Sequence, residues 1–583
     1  MLKIFRYLKK KEWTMILGCF VLIIVQVWLD LKLPDYMSEI TTLVQTDNSK
    51  MSSILSAGGY MLLCALGSLA TSFIVGYFSA KIAASFSMRL KEMMYDKTVA
   101  FSMEELGHFS TASLITRSTN DITQIQTLVA MGLQAVVKAP ILAIWAICKI
   151  ATKNFAFLSA TCAAIVLLII LLCMILIFAI PKSKLVQQLT DNLNRIVREH
   201  LTGIRVVRAY NAESFQEKKF EKANKEVADA NLYVNRFTAL MSPTTTFTNS
   251  ALTLSIYIIG AYLINSSAGA DKLTIFSDMV VFSSYAMQVI MAFMMLTMIF
   301  IMLPRAAVSA KRILEVLETK GSISDGKKEN GNGKGIIEFK NVSFKYPDAA
   351  DYVLENISFS VNQGETIAII GSTGSGKSTL INLIPRFYDC TEGEVLVDNV
   401  DVKDYKQESL RNKIGYVSQK AVMFSGTISE NITFGENGKT PAQKEDIEKA
   451  INIAQSDEFV KTSGLNGRVS QGGTNFSGGQ KQRLSIARAI CRNPEIFIFD
   501  DSFSALDYKT DKELRNALNS STSDATKFIV AQRISTIKDA DKIIVLEDGK
   551  MIGLGTHTEL LDSCKVYQEI ALSQLSKEEL TNA

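Results

Sequence analysis

The sequence predicts a chain in two parts: a helical membrane domain of six spans, then an α/β domain built on short apolar strands. Three observations predict this. Long runs nearly free of charge are concentrated before position 305, and a Gly-, Lys-, Asn- and Ser-rich stretch follows them. Beyond that stretch, short apolar runs alternate with helical patterns. Composition agrees: 583 residues exceed one core, and 48% of them are hydrophobic.

The predicted spans are Met15–Leu29, Met51–Ala80, Ile122–Cys148 (broken by Lys138), Phe155–Ile180, Phe237–Ala270 and Met279–Pro304. Each supplies about 20 apolar residues of helix, the length that crosses a hydrocarbon core, once the first continues past Asp30 and Lys32. MLKIFRYLKKKEW carries five basic residues and one acid, so residues 1–13 are expected to form an amphipathic elbow helix on the cytoplasmic face. Lys81–Asp121 and Pro181–Arg236 are rich in Lys and Arg, while the opposite loops are short and poor in charge. Basic residues stay inside, so both termini and the second domain are expected to be cytoplasmic. These basic segments have few breakers and are too long for ordinary connections. They read as span helices continuing out of the bilayer, turning back near Leu106–Ser113 and Ala209–Phe215. The membrane domain is expected over 14–310.

Other chemistry is excluded or weak. A net charge of +4 gives no field for nucleic acid. The eight cysteines show no zinc-binding spacing and mostly sit in apolar runs, and the three histidines are scattered. The first apolar run lacks an A-x-A-like end, so no cleavable signal peptide is expected.

Thr319–Gly335 reads as a flexible polar linker, and 336–575 as an α/β nucleotide-binding domain. Its strand candidates are GIIEFKNVSFKY, ETIAIIGS, KIGYVSQ, EIFIFDD, KFIVAQR and KIIVLEDG. GSTGSGKST (Gly371, Ser372, Thr373, Gly374, Ser375, Gly376, Lys377, Ser378, Thr379) matches the phosphate loop G-x-x-x-x-G-K-[ST] directly after one of them. Its glycines let successive N–H groups wrap an anion. Lys377 would pair with β and γ oxygens of ATP, and Ser378 would ligate Mg²⁺. Asp500, ending the strand IFIFD, would supply a carboxylate on the magnesium side.

NFSGGQKQRLSIARAI, from Asn475, resembles the signature of ABC transporter ATPases. With six spans and two extensions ahead of it, the chain resembles a half-size ABC exporter. The implied fold is an α-helical six-span membrane domain followed by an α/β P-loop ABC ATPase domain. In that family Ser477, Gly478, Gly479 and Gln480 would bind the γ-phosphate of ATP held by a facing subunit. A serine hydroxyl and glycine N–H groups at a helix start suit that role. The residue before this serine is usually Leu and here is Phe476. The resemblance also implies adenine stacking by Tyr346, a Mg²⁺-side and membrane-sensing role for Gln419, and a crossing loop at Ser504–Asp507. FSTASLITRSTNDI and GIRVVRAYNAESF resemble the family's coupling segments.

Two positions depart from the family. Glutamate normally follows the magnesium aspartate as the base that polarises water, and this chain has Asp501. Its carboxylate falls about 1.5 Å short, a misplacement that can cost about a hundredfold in rate. Histidine normally stands where this chain has Gln532, which hydrogen-bonds but carries no charge. Both changes strike one composite site, while the signature serving the opposite site is nearly intact. GRVSQGGTN also lacks the family's usual acidic segment. The pattern resembles the degenerate-site subunit of heterodimeric bacterial multidrug exporters, with a second half-transporter as partner. The alternatives are a homodimeric lipid or peptide exporter, or an ATP-gated regulatory subunit. A sensory or peptidase domain, which would favour those uses, is absent from the sequence.

Substrate signals are fewer. Met287, Met291, Met294, Met295, Met298 and Met302 recur at helical spacing in the sixth span. Such a stripe suits varied apolar molecules, and equally suits packing against helices or lipid. Asp30 would be costly in a span unless paired or facing water, so it either binds cationic compounds or meets a basic neighbour.

Overall fold

The computed structural model describes residues 2–46, 49–151, 155–266, 270–347, 349–435 and 437–574. It forms two compact units, Met1–Val99 with Thr111–Thr319, and Ala100–Ser110 with Lys320–Ala583.

In the first unit, five helical stretches among the described residues are long and apolar enough to cross a membrane: Lys10–Gln45, Met51–Val99, Thr111–Ile150, Glu213–Ser266 and Lys272–Glu318. The remaining predicted span is the charge-free helix Phe155–Met174, which passes through a π-helical turn at Ile175–Ala179 into Ile180–Thr202. Apolar side chains such as Leu62, Leu66, Leu69 and Phe73 stand exposed on the second helix, as a lipid-facing surface requires. The charges inside the spans find partners. Asp30 pairs with Lys138 at 3.0 Å and accepts from Ser68, while Asp35 meets Lys149 at 2.9 Å and Tyr285 at 2.6 Å. Of the two readings of Asp30, the structure gives the basic neighbour.

The N-terminal segment departs from the expected single helix over 1–13. A 3₁₀ turn, Leu2–Tyr7, ends before the first long helix begins at Lys10. Glu12 forces the break by accepting from the Lys9 N–H at 2.8 Å. Its buried carboxylate is then held by Arg89 through two bonds of 2.8 and 2.9 Å.

The second predicted tip is a turn, and the first is a two-residue break, Phe109 and Ser110, between two short helices. The first holds the short helix Met103–His108, capped by Ser102, and residues Ala100–Ser110 belong to the second unit. There Glu105 accepts from the Ser322 N–H at 2.6 Å. The second tip lies between Ile204–Ala209 and Glu213–Ala239, with Asn211 at a φ of 50°.

The polar stretch Thr319–Gly335 is not a free tether. The N–H groups of Gly326, Lys327 and Lys328 bond to Tyr405 and Asp404 carbonyls, and Asn332 donates to Asp398 O at 2.9 Å. Composition favoured flexibility, but these backbone groups find fixed partners on the domain. Gly331 is required by the close approach: a Cβ there would lie 2.4 Å from the Tyr405 hydroxyl and 2.6 Å from Asp398 O. Gly331→Ala is expected to cost about 1–3 kcal/mol, read as a lowered melting temperature of the full chain in detergent.

Twelve strands follow among the described residues: β1 (Ile337–Phe344), β2 (Leu354–Val361), β3 (Thr366–Gly371), β4 (Glu392–Val397), β5 (Val400–Asp401), β6 (Ile414–Val417), β7 (Gly426–Thr427), β8 (Arg468–Val469), β9 (Ile496–Asp500), β10 (Thr526–Val530), β11 (Lys542–Glu547) and β12 (Lys550–Gly555). The central sheet runs β12-β11-β3-β10-β9-β6, parallel except for the β11–β12 hairpin. An antiparallel sheet, β2-β1-β4-β5, and the pair β7-β8 complete the domain. Strands β9 and β10 are buried along their whole length, as inner strands of a parallel sheet are, even though β10 opens with Thr526 and Lys527 and β9 ends in Asp500. Alternation splits them between two cores: Ile496, Ile498, Phe528 and Val530 face the antiparallel sheet's cluster. Phe497, Phe499 and Ile529 face the helical one. The parallel strands β3, β9 and β10 end together, and an α/β sheet binds ligands at such carboxyl ends.

Candidate nucleotide site

The phosphate loop links β3 to the helix Lys377–Leu383. Gly376 sits at a φ of 95°, and a Cβ there would lie 2.8 Å from the Leu354 side chain, so only glycine fits. Lys377 turns its ammonium back over the loop, donating to the carbonyls of Gly371 at 2.9 Å and Ser372 at 2.6 Å. Burial lowers its pKa, and the carboxylates of Asp501 and Asp500 oppose that shift. Ser375 has a buried hydroxyl with no hydrogen-bond partner in the structure.

The two adjacent aspartates part company at the end of β9. Asp500 is buried and accepts from the Ser378 hydroxyl at 2.8 Å. Burial raises its pKa from the ordinary aspartate value, Ser378 and Lys377 lower it, and Asp501 adds to the rise. Asp501 adopts a left-handed φ of 46°, which turns the chain out of the strand and points the second carboxylate elsewhere. Gln532 Nε2 donates to Asp501 Oδ2 at 3.0 Å, and Gln419 Nε2 approaches the same oxygen at 3.5 Å. The two family departures are therefore bonded to each other.

Thr373, Gly374, Gly376, Lys377, Ser378, Thr379, Gln419, Asp500, Asp501 and Gln532 line one open cleft of about 240 Å³, together with Val353 and Val530. Gly371 and Ser372 line a neighbouring cavity. Tyr346 stands at the margin, its hydroxyl 3.1 Å from Thr379 Oγ1 and its ring edge-on to Phe344 and Tyr388. A hydroxyl beside one carboxylate is a partial set of hard oxygen ligands. It fits Mg²⁺, which usually takes one or two carboxylates and completes its shell with phosphate and water.

Ser477, Gly478, Gly479 and Gln480 do not line this cleft. Ser477 caps the helix Gly478–Cys491: its hydroxyl accepts from the Gln480 N–H, and the Gln480 side chain accepts from the Ser477 N–H at 2.9 Å. That box leaves the N–H groups of Gly478 and Gly479 pointing outward at a positive helix end. Phe476 is half-buried and packs edge-on against Phe459, so the departure from leucine is absorbed by the core.

Three residues escaped the motif reading. Val353 and Val530 wall the cleft but are ordinary strand-end valines in sequence. Gln574 bonds the Gln532 carbonyl at 2.7 Å from a helix with no motif of its own.

Comparison with known proteins agrees with this architecture. Residues 354–504 match the ABC transporter family and residues 15–293 the ABC transporter transmembrane region. An uncharacterized ABC transporter ATP-binding protein of Mycobacterium tuberculosis is 40% identical over 89% of this chain and 88% of that one. A putative multidrug export ATP-binding/permease protein of Bacillus subtilis is 32% identical, covering 85% and 84%. An ATP-dependent lipid A-core flippase of Pseudomonas fluorescens is 30% identical, covering 86% and 82%. A bacterial Atm1-family ABC exporter solved with ATP bound shares the fold, with a TM-score of 0.75 at 24% identity over 97% of this chain and 98% of that one. The chain belongs to the ABC transporter family, as an ATP-hydrolysing, multi-pass half-size exporter with one transmembrane region and one ATPase domain.

Proposed function

We propose that this chain is one half of a heterodimer that exports hydrophobic or amphipathic compounds across a bacterial-type cell membrane, its termini and ATPase domain cytoplasmic. Its own cleft holds ATP and Mg²⁺ and hydrolyses slowly. Ser477–Gln480 completes the faster site on the partner subunit.

The observation that carries this reading is the 3.0 Å bond from Gln532 to Asp501. A general base must offer a carboxylate oxygen to water in line with the γ-phosphate. Here the shorter carboxylate already accepts from an amide, which draws that oxygen aside and occupies it. Gln532 cannot replace the charge of a histidinium. The binding parts remain: Lys377 and the loop N–H groups would take phosphate oxygens, and Tyr346 would meet the adenine. Ser378, Asp500 and Gln419 would hold Mg²⁺, which when bound supplies charge neutralisation at the β- and γ-phosphates.

For the cargo, Met287, Met291, Met294 and Met298 form an exposed stripe at spacings of four, three and four residues. Flexible thioethers suit chemically varied apolar molecules, in keeping with the multidrug relative. The lipid A-core flippase at 30% identity favours a second reading, a homodimeric lipid exporter.

The readings separate on purification. The lone chain in nanodiscs is expected to show little ATPase, restored by mixing with a similar chain that carries glutamate and histidine at the matching positions. Brisk turnover by the lone chain, abolished by Asp501→Asn, would sink the heterodimer. ATP-driven uptake into inside-out vesicles then assigns cargo: dye for the first reading, labelled lipid for the second. No transport with any partner identifies a regulatory subunit.

A further inference from the structure

The motifs leave Gln574 without a role, yet its side chain grips the segment that carries Gln532. Its Nε2 donates to Gln532 O at 2.7 Å and its Oε1 accepts from the Ile534 N–H at 2.9 Å. The carboxamide thus straddles Arg533 and reproduces, with one side chain, the paired exchange of a β-ladder rung. Gln574 ends the helix Lys565–Gln574, which is rooted in the domain by the fully buried Tyr567 and Ala571. Tyr567 is tied in turn to His557 Nδ1 at 2.6 Å. The grip therefore comes from a fixed base.

What it grips is a thin wall. Thr373 and Gln532 line both the nucleotide cleft and a second cavity of about 290 Å³, whose far side is formed by Val566, Ile570, Ser573 and Gln574. The segment after β10 is anchored by the buried Ala531 and Ile534, while Gln532 and Arg533 between them are exposed, and it is around this exposed pair that Gln574 makes its two bonds. The Gln532 amide reaches Asp501 only while its backbone stays in place.

We propose that Gln574 is a positioning residue for the nucleotide cleft, acting through Gln532 to aim that amide at the γ-phosphate end of the bound nucleotide. This rests on the reading proposed above that the cleft, which Gln532 lines, holds ATP. It holds whether or not the lone chain hydrolyses ATP, because what Gln574 is assigned to affect is binding.

The test uses the full chain in nanodiscs with Mg²⁺, titrated with AMP-PNP and with ADP. Gln574→Ala is expected to weaken AMP-PNP binding about 3- to 10-fold, the range of one or two hydrogen bonds, and to leave ADP binding unchanged. In a Gln532→Ala background the same substitution has no further effect. Ser573→Ala, one residue away and with its hydroxyl donating to Ile570 O of its own helix, leaves both affinities as they are. If Gln574→Ala folds poorly, Gln574→Glu keeps the acceptor for Ile534, loses the donor to Gln532, and shows the same selective loss. The assignment is overturned if either variant weakens both nucleotides equally, weakens neither, or acts as strongly without the Gln532 side chain. If Gln532→Ala leaves AMP-PNP affinity unchanged, the γ-phosphate role of Gln532 fails as well.

Discussion

Asp501→Glu combined with Gln532→His is expected to raise ATP turnover by the lone chain about a hundredfold. The reason is geometric. An added methylene carries the carboxylate about 1.5 Å further toward the attacking water, and removing the amide frees the oxygen that Gln532 holds at 3.0 Å. Because the two side chains are bonded to each other, neither change alone should deliver the full gain, and the pair should exceed the sum of the single effects. A small cost accompanies the glutamate. Position 501 has a φ of 46°, where aspartate is tolerated better than longer side chains. Steady-state phosphate release in nanodiscs measures the gain. Unchanged turnover in the double variant would remove the chemical basis for calling this cleft slow.

Ser477→Arg is expected to reduce turnover of the assembled complex by about 10²- to 10³-fold, the usual consequence of losing donors aimed at transition-state charge. It should leave this chain's own nucleotide affinity intact, since Ser477 does not line its cleft. Lost capping adds only about 1 kcal/mol of destabilisation, which a melting curve controls for. The comparison that decides is with Lys377→Ala. In a heterodimer whose fast site lies on the partner, removing Lys377 from the slow cleft should lower turnover much less than Ser477→Arg. In a homodimer every site uses both residues, so the two substitutions should be equally damaging.

Much of this was legible in the linear sequence. Apolar runs marked the spans and the cores of the buried strands β3, β9 and β10, because a bilayer and a parallel sheet each demand apolar surface. Fixed local spacing gave the phosphate loop, since its chemistry is made by consecutive backbone groups. The tips near Leu106–Ser113 and Ala209–Phe215 were marked by position; the second is a turn and the first a two-residue break between short helices. The N-terminal elbow and the linker were misjudged for one reason: composition reports average polarity and says nothing of specific partners. Glu12 found Arg89, and the Gly326–Lys328 backbone found Asp404 and Tyr405.

The sequence alone thus determined the division into membrane and ATPase parts, the family, and which two residues depart from its chemistry. Local pattern suffices for these because each is written in neighbouring residues. Only the tertiary structure decided that the departures touch. Asp501 and Gln532 lie on separate strands' ends, brought side by side by the parallel pairing of β9 with β10. It also decided that Asp30 is answered by Lys138 and that the Gln574 side chain bonds the Gln532 carbonyl. Such contacts join residues far apart in the chain, and their free energy depends on a distance that no local pattern records.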